Sequence, residues 1–241
     1  MDDIKRIIAT ITVPSKKRKV YYTFTHVMLQ LLEKHDIKYF AHSGTMLGAV
    51  RHEGFIPWDD DVDVMIDEND SDKLAALMEE IESFGIRFGT SKTIESGLVQ
   101  FVPFGAKILA GSRYFMGFDV FIGEKIEISE KTVYHYKSSD FRRWFGQRYV
   151  ATDEVFPRKK YRFGPMDIWG MSRPDDYFQR SGFRLDEAII GVHKSGKVTA
   201  DAAIAELKAI SAYPITDETV LSLSAPYDRL ELFDLEHYRV T

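Results

Sequence analysis

Residues 39–66 read YFAHSGTMLGAVRHEGFIPWDDDVDVMI, and the end of that stretch decides the fold. Asp59, Asp60, Asp61 and Asp63 fall within five residues, between Pro57-Trp58 and an apolar run. Carboxylates this close repel one another, and packing one against a core costs on the order of several kcal/mol unless an opposite charge neutralises it. Val62, Val64 and Ile66 alternate with Asp61, Asp63 and Met65, which is the period of a β-strand. Asp61 and Asp63 therefore share one face, with Cα atoms roughly 6–7 Å apart. The apolar residues face the other way, into a core. Two carboxylates on one sheet face suit a hard divalent cation, because Mg²⁺ takes oxygen ligands, usually one or two carboxylates plus substrate phosphates.

Two plainer readings compete. The cluster could be solvated surface charge, but the strand alternation places Asp61 and Asp63 beside a core. It could be a calcium loop, with Asp59, Asp61 and Asp63 at positions 1, 3 and 5 and Asp70 at position 12. That loop needs glycine at position 6, where Val64 stands, and a bidentate glutamate at position 12.

Upstream, Ile37 to Ala41 reads as a short buried strand. His42-Ser43-Gly44-Thr45 reads as a turn, and Met46 to Arg51 as a short helix. Small residues at that turn let backbone approach a ligand, and a helix N-terminus offers N–H groups to phosphate. A phosphate cradle followed by metal carboxylates is what phosphoryl transfer requires. Arg51 could clamp a phosphate or hold the Asp59/Asp60 loop by a salt bridge. His42 and His52 read as structural hydrogen-bonders. Trp58 reads as packing under the loop, with stacking on a base or a choline-like cation as the alternative.

Elsewhere, Pro14 and Ser15 open a helix whose stripe is Val20, Phe24, Val27, Met28, Leu31 and Leu32. A second helix begins at Asn69 or Ser71, carries Leu74, Leu77, Met78, Ile81 and Phe84, and stops at Gly85. Short strands are expected at Ile86–Phe88, Leu98–Phe101, Ala106–Leu109 and Phe118–Ile122. Residues from about 130 read as mostly helical or irregular, with a helix over Ala202 to Ile210. The early alternation of strand and helix predicts α+β or α/β with a mixed sheet.

The chain has 241 residues, 44% of them hydrophobic, enough for one substantial core. Its 32 Lys+Arg against 37 Asp+Glu give a net charge of −5, against a nucleic-acid binder with a basic surface. With no cysteine there is neither a disulfide nor a Cys-based zinc site. No signal peptide and no bilayer-crossing run is evident, so a cytoplasmic protein is expected. Lipid-linked substrates would bring it to the inner face of the membrane.

The stretch AHSGTMLGAVRHEGFIPWDDDVDVMI resembles the signature of the LicD family, related to the fukutin proteins, within the nucleotidyltransferase-fold superfamily. Ser43-Gly44 and Asp61-Val62-Asp63-Val64 match the superfamily pattern of a Ser-Gly turn, a helix and an Asp-hydrophobic-Asp strand. The match is strong over 37–67. Further on, Ala106-Lys107-Ile108 resembles the family's lysine-bearing strand. Gly117-Phe118-Asp119-Val120-Phe121 resembles its strand with the third acidic residue, departing at Ile122-Gly123 where Pro-Leu-Asp is common. Phe163-Gly164 and Arg173-Pro174-Asp175-Asp176-Tyr177-Phe178 with Gly182 resemble the downstream pattern.

The residues alone leave Asp119 open between a strand-edge surface residue and a site residue. The resemblance implies that it is the third carboxylate, a metal ligand or the base for an attacking hydroxyl. It likewise implies Lys107 as a phosphate contact. The implied fold is α+β, a nucleotidyltransferase-like mixed sheet flanked by helices. A core over about 14–125 and a mainly helical acceptor-side region over about 130–241 would form one domain. The implied activity is a phosphotransferase using Mg²⁺ or Mn²⁺ at Asp61, Asp63 and Asp119. It would move a phospho-alcohol group from a CDP-linked donor, held at Ser43, Gly44, Thr45, Arg51 and Lys107, to a hydroxyl of a glycan or lipid-linked glycan. His42, Trp58, Asp59 and Asp60 would support that site. Arg158, Lys159, Lys160 and Arg162 could rim the acceptor side or simply be a solvated face. The alternatives are a nucleotidyltransferase moving NMP from NTP to a small hydroxyl compound, and a catalytically silent binding module.

Overall fold

The computed structural model describes residues 15–103, 117–188, 213–214 and 231–232. Val62, Val64 and Ile66 are fully buried while Asp61 and Asp63 are half-buried, so the alternation builds strand β2 (Asp61–Asp67). On one side β2 pairs antiparallel with β1 (Tyr39–Ala41). On the other it pairs parallel with β5 (Gly117–Ile128). Strands β4 (Leu98–Pro103) and β3 (Ile86–Thr93) continue antiparallel, giving the order β1-β2-β5-β4-β3. The second half of β5 carries β6 (Lys131–Tyr136), and β7 (Val150–Ala151) pairs with β6. One parallel pair among antiparallel ones makes the sheet mixed, and helices flank it, as an α+β fold requires.

Helix α1 (Ser15–Lys34) buries Tyr22, Phe24, Val27, Met28, Leu31 and Leu32. Val20, expected in that stripe, is 52% exposed, and Arg18 and Tyr21 turn inward instead. Helix α2 (Ser43–Arg51) links β1 to the acidic loop, and α3 (Ser71–Glu80) buries Leu74 and Leu77. A 3₁₀ turn follows α3 and ends at Gly85, whose φ of +66° is the left-handed stop its position predicts.

Two expectations need correction. Helix α2 begins at Ser43, not at Met46. Ser43 adopts φ +44°, and its N–H donates to the Tyr177 hydroxyl at 3.2 Å, a partner 134 residues away that no local pattern announces. The region past 130 is not mainly helical where it is described. It holds β6, β7 and the hairpin β8 (Lys159–Phe163)–β9 (Met166–Gly170). Only short helices accompany them: α4 (Ser139–Trp144), α5 (Thr152–Val155) and α6 (Asp175–Ser181). These strands are too short for a period to stand out, and their aromatics are recruited by the overlong β5 and by β1. Phe163, Ile168, Tyr177 and Phe178 join the same core as Phe24 and Val64. The strand expected at Ala106–Leu109 and the helix at Ala202 to Ile210 lie outside the described residues.

Gly48 is where α2 meets the loop that leads to the aspartates. The Gly54 N–H donates to the Gly48 carbonyl at 3.3 Å, and a Cβ on Gly48 would lie 2.6 Å from the Gly54 carbonyl oxygen. The neighbour is backbone, so it has no rotamer to give. Gly48→Ala should therefore cost about 1–3 kcal/mol, read as a lower urea midpoint. A loss under about 0.5 kcal/mol, the ordinary range for a tolerant site, would refute the tight contact.

Candidate active site

The β2–β5 register builds the site. Asp63 lies directly opposite Asp119, and Asp61 opposite Gly117. Carboxylate oxygens of Asp61, Asp63 and Asp119 lie within 4.8 Å of one another, and a second such group joins Asp61 to Asp59 and Asp60. Gly117 leaves room for this: a Cβ there would stand 2.9 Å from Asp119 Oδ1. From β4, Gln100 Nε2 donates to the same Oδ1 at 2.8 Å and fixes the carboxylate's orientation. From α2, Thr45 Oγ1 accepts the Asp63 N–H at 2.8 Å, and the Asp63 carbonyl accepts the His42 N–H at 3.0 Å.

The loop between α2 and β2 is held from α1. The buried Arg18 guanidinium donates to the carbonyls of Ile56, Pro57 and Asp59, and lies 4.6 Å from the Phe55 ring centre. Charge-assisted bonds to three carbonyls fix the approach of Asp59–Asp61.

The electrostatics are those of excess negative charge. Burial first, then the charges of Asp61, Asp119 and Asp59, push the Asp63 carboxyl well above its usual range, with Arg148 opposing. Burial, then Asp61 and Asp60, raise Asp59 in the same way, with Arg18 opposing. An all-carboxylate donor set under mutual repulsion fits a hard divalent cation such as Mg²⁺ or Mn²⁺.

Behind α2 stands an aromatic box. The fully buried His42 ring has Tyr136 and Tyr177 at 5.4 Å, Phe121 at 6.0 Å and Phe40 at 6.5 Å. His42 Nδ1 meets the Ser43 hydroxyl at 2.9 Å. Ser43 thus directs both hydroxyl and N–H into this box. Gly44, half-buried, sits against Asp59: a Cβ on it would be 2.9 Å from Asp59 Oδ2.

Arg51 lies at the far end of α2. Its Nη1 donates to the Arg184 carbonyl at 2.7 Å and its Nε to His52 Nε2 at 3.0 Å. Burial lowers it to about 10, with Asp59 opposing. Trp58 packs against the core, 6.4 Å from the His52 ring. Lys107 lies outside the described residues. Arg158 is not brought to the carboxylates. It donates to the Tyr39 carbonyl and lines a cavity of about 420 Å³ with Asp67, Lys125 and Tyr134, at the other end of β2. Lys159 and Lys160 lie over the Tyr161 and Trp169 rings. The residues that sequence reading missed are Arg18, Gln100, Tyr136, Arg148 and Tyr177. Tyr177 was signalled only as part of the downstream family pattern, and Arg18 only by its helical position next to Tyr21-Tyr22.

The sequence model of the family described as LicD/FKTN/FKRP, nucleotidyltransferase domain, matches residues 36–170, more than half of the chain. An uncharacterized protein of Rickettsia prowazekii is 30% identical over 162 residues, covering 67% of this chain and 53% of that protein. The lipopolysaccharide cholinephosphotransferase LicD of Haemophilus influenzae is 31% identical over 115 residues, covering 43% of this chain and 42% of its own length. The chain spans about half the length of the curated relatives it matches. Among solved structures, a lincomycin-bound lincosamide adenylyltransferase aligns at 13% identity and TM-score 0.39, covering 83% of this chain and 99% of that one. A second, ANT(2")-Ia with adenylyl-2"-tobramycin, aligns at 14% identity and TM-score 0.40, covering 86% and 97%.

Burial lowers both His42 and His52 to about 3; nearby positive charge adds to it, from Arg148 at His42 and Arg51 at His52. Their folded values lie below the unfolded one. The unfolded chain therefore binds more protons, and their contribution to stability is whole above pH ~6.5 and is lost as pH falls toward about 3. In histidine side-chain NMR, both rings should stay neutral from pH 8 to 5. A mid-range titration of either would contradict the burial described.

Proposed function

The chain belongs to the LicD/FKTN/FKRP nucleotidyltransferase-domain family, and on that premise we propose that it is a divalent-metal-dependent phosphotransferase. The observation that carries this is the convergence of Asp61, Asp63 and Asp119 on two parallel strands. The donor we infer is a CDP-linked alcohol, and the acceptor a hydroxyl of a surface glycan or its lipid-linked precursor. The name of the Haemophilus relative, a lipopolysaccharide cholinephosphotransferase, supports phosphocholine as the first group to try.

Asp61, Asp63 and Asp119 would hold Mg²⁺ or Mn²⁺, which when bound supplies charge neutralisation for the pyrophosphate and the leaving phosphate. The N-terminal turn of α2 lies against the acidic loop, with Gly44 next to Asp59, and we infer that donor phosphate would approach the backbone there. Ser43 serves this indirectly, by fixing the start of the helix against Tyr177. The acceptor oxygen attacks the phosphorus of the phospho-alcohol group. The bond from that phosphorus to the CMP oxygen breaks, and CMP leaves. Asp119, which Gln100 holds by Oδ1, would serve either as the third metal ligand or as the base that takes the hydroxyl proton. Among the described residues no helix is long and apolar enough to cross a membrane, so a lipid-linked acceptor would be reached from the membrane surface.

Calorimetric titration tests this reading. CDP-choline, CDP-ribitol, CDP-glycerol, CTP and ATP are titrated with and without Mn²⁺ into wild type and Asp61→Ala/Asp63→Ala. We expect one CDP-linked donor to bind only with Mn²⁺ and only to wild type. Binding of a plain NTP alone, with the nucleotide retained on the product, would replace this reading by nucleotidyl transfer. No Mn²⁺ binding by wild type would leave a silent module.

A further inference from the structure

The cavity at the far end of β2 lies apart from the acidic site. Asp67, which lines it, is six residues along the strand from Asp61, roughly 20 Å at about 3.3 Å per residue. Its volume of about 420 Å³ falls within the range of about 300–1,000 Å³ usual for small-molecule pockets. One wall is aromatic. The rings of Phe40, Tyr134 and Phe156 stand in file, their centres 5.7 Å and then 6.3 Å apart. Phe40 and Tyr134 are buried, while Phe156 is 44% exposed, so the file runs from the core out to solvent.

The two acids in the lining are already satisfied. Asp67 Oδ1 accepts the Asn69 N–H at 3.0 Å and the Asn69 side-chain amide at 2.8 Å. Its Oδ2 accepts the Lys125 ammonium at 2.7 Å and the Tyr134 hydroxyl at 2.9 Å. Two bonds to each oxygen fill the roughly four acceptor sites of a carboxylate. Asp70 takes the Lys73 ammonium at 3.0 Å and the Lys38 N–H at 3.3 Å.

The cations are not balanced in the same way. Lys125 is neutralised by Asp67, but Arg158 and Lys38 line the same cavity without a carboxylate. Arg158 donates Nη1 to the Tyr39 carbonyl at 2.6 Å and lies 4.9 Å from the centre of the Trp169 ring. Among the described residues, neither the rest of that guanidinium nor the Lys38 ammonium has a hydrogen-bond acceptor or an ion-pair partner. The Tyr39 carbonyl fastens Arg158 to the residue next to Lys38, so two positive charges are held at one opening. An anion between them would relieve their repulsion.

A neutral ring would use the aromatic wall and leave the charges unmatched. Inorganic phosphate would do the reverse, and a quaternary cation would meet the wall only against the repulsion of Arg158 and Lys38. A phosphate monoester on a flat ring satisfies both. Its roughly double negative charge matches two cations, and a guanidinium is the group that grips phosphate bidentately.

We propose that this cavity is a second ligand site, separate from Asp61, Asp63 and Asp119, which binds a small phosphate monoester carrying a ring, with the phosphate on Arg158 and Lys38 and the ring against Tyr134 and Phe156. The site needs no metal and does not rest on the phosphotransferase reading.

The test titrates phenyl phosphate, inorganic phosphate, benzyl alcohol, benzoate and choline into the whole chain by ligand-observed NMR, in wild type, Lys38→Met and Phe156→Ala. EDTA is present throughout, so that the acidic cluster repels phosphate. We expect phenyl phosphate to bind wild type more tightly than the other four. Lys38→Met should weaken phenyl phosphate roughly 10-fold, the low end for a hydrogen bond to a charged group, and should weaken inorganic phosphate alike. Phe156→Ala should weaken phenyl phosphate roughly 3- to 10-fold, the scale of one aromatic contact, and leave inorganic phosphate unchanged. Both side chains are exposed, so the melting temperature of each variant should match wild type. A wild type that binds no phenyl phosphate, or variants that bind it as well as wild type, would overturn the proposal. Benzoate binding as tightly as phenyl phosphate would overturn the phosphate assignment, and tighter binding of choline would overturn the anion site as a whole. The Mn²⁺-dependent donor titration reads the acidic cluster instead, so failure of either reading leaves the other standing.

Discussion

The register of one parallel strand pair is what the site depends on. Asp63 faces Asp119 because β2 and β5 run side by side in step from Asp61/Gly117 to Asp67/Gly123. A slip of one residue would turn every side chain on one strand to the opposite face and separate the two carboxylates. Like charges directly opposite on a ladder are destabilising, so this register is not chosen by the aspartates. It is chosen by Val62, Val64 and Ile66 and by Phe118, Val120 and Ile122, all fully buried. The apolar face supplies the stability, and the acidic face draws on it. That division is common where a site must hold groups that would otherwise move apart.

The surrounding shell does for the loop and the helix what the core does for the strands. Arg18 clamps the backbone up to Asp59 from α1, a helix outside the sheet that carries the acidic cluster. His42, neutral and boxed by four aromatic rings, fixes the start of α2 without adding charge near the carboxylates. A protonated histidine there would compete with a metal for the same negative field. Burial removes that competition across the physiological range.

How much of this was readable in the sequence follows the range of each interaction. Asp61 and Asp63 were legible because strand alternation is local and the valines between them are unambiguous. The Gly85 stop was legible for the same reason. Asp119 was not placed by its own neighbours, since its position depends on a parallel pairing reached only after α3, β3 and β4 have intervened. Arg18 lies 38 to 41 residues from the carbonyls it holds, and Tyr177 lies 134 from the N–H it accepts. Neither distance leaves a trace in spacing or periodicity. The strands past 130 escaped because segments such as Val150–Ala151 are defined by partners rather than by pattern. Ser43 and Gly44 read alike as cradle residues, yet the structure separates them. Ser43 faces the box and Gly44 faces Asp59, a difference made by one positive φ angle.

The extent of the family match and the extent of the structural unit differ, and the difference has a physical meaning. The match runs from residue 36 to 170, but Arg18 precedes it and Tyr177 follows it. Tyr177 reaches Ser43 only because α6 is anchored. Arg180 donates to both oxygens of the buried Glu154 at 2.7 Å, and Arg173 holds Asp153 at the same distance. Removing one partner of a buried pair leaves an uncompensated charge, at a cost of about 3–5 kcal/mol, so the Glu154–Arg180 contact is a firm hinge pin for α6. Through Tyr177 that anchor bears on Ser43, and through Ser43 on the first turn of α2. The 36–170 segment alone would keep the three aspartates while losing the clamp on their loop and the back wall of their helix. The working unit therefore begins in α1 and extends at least to α6.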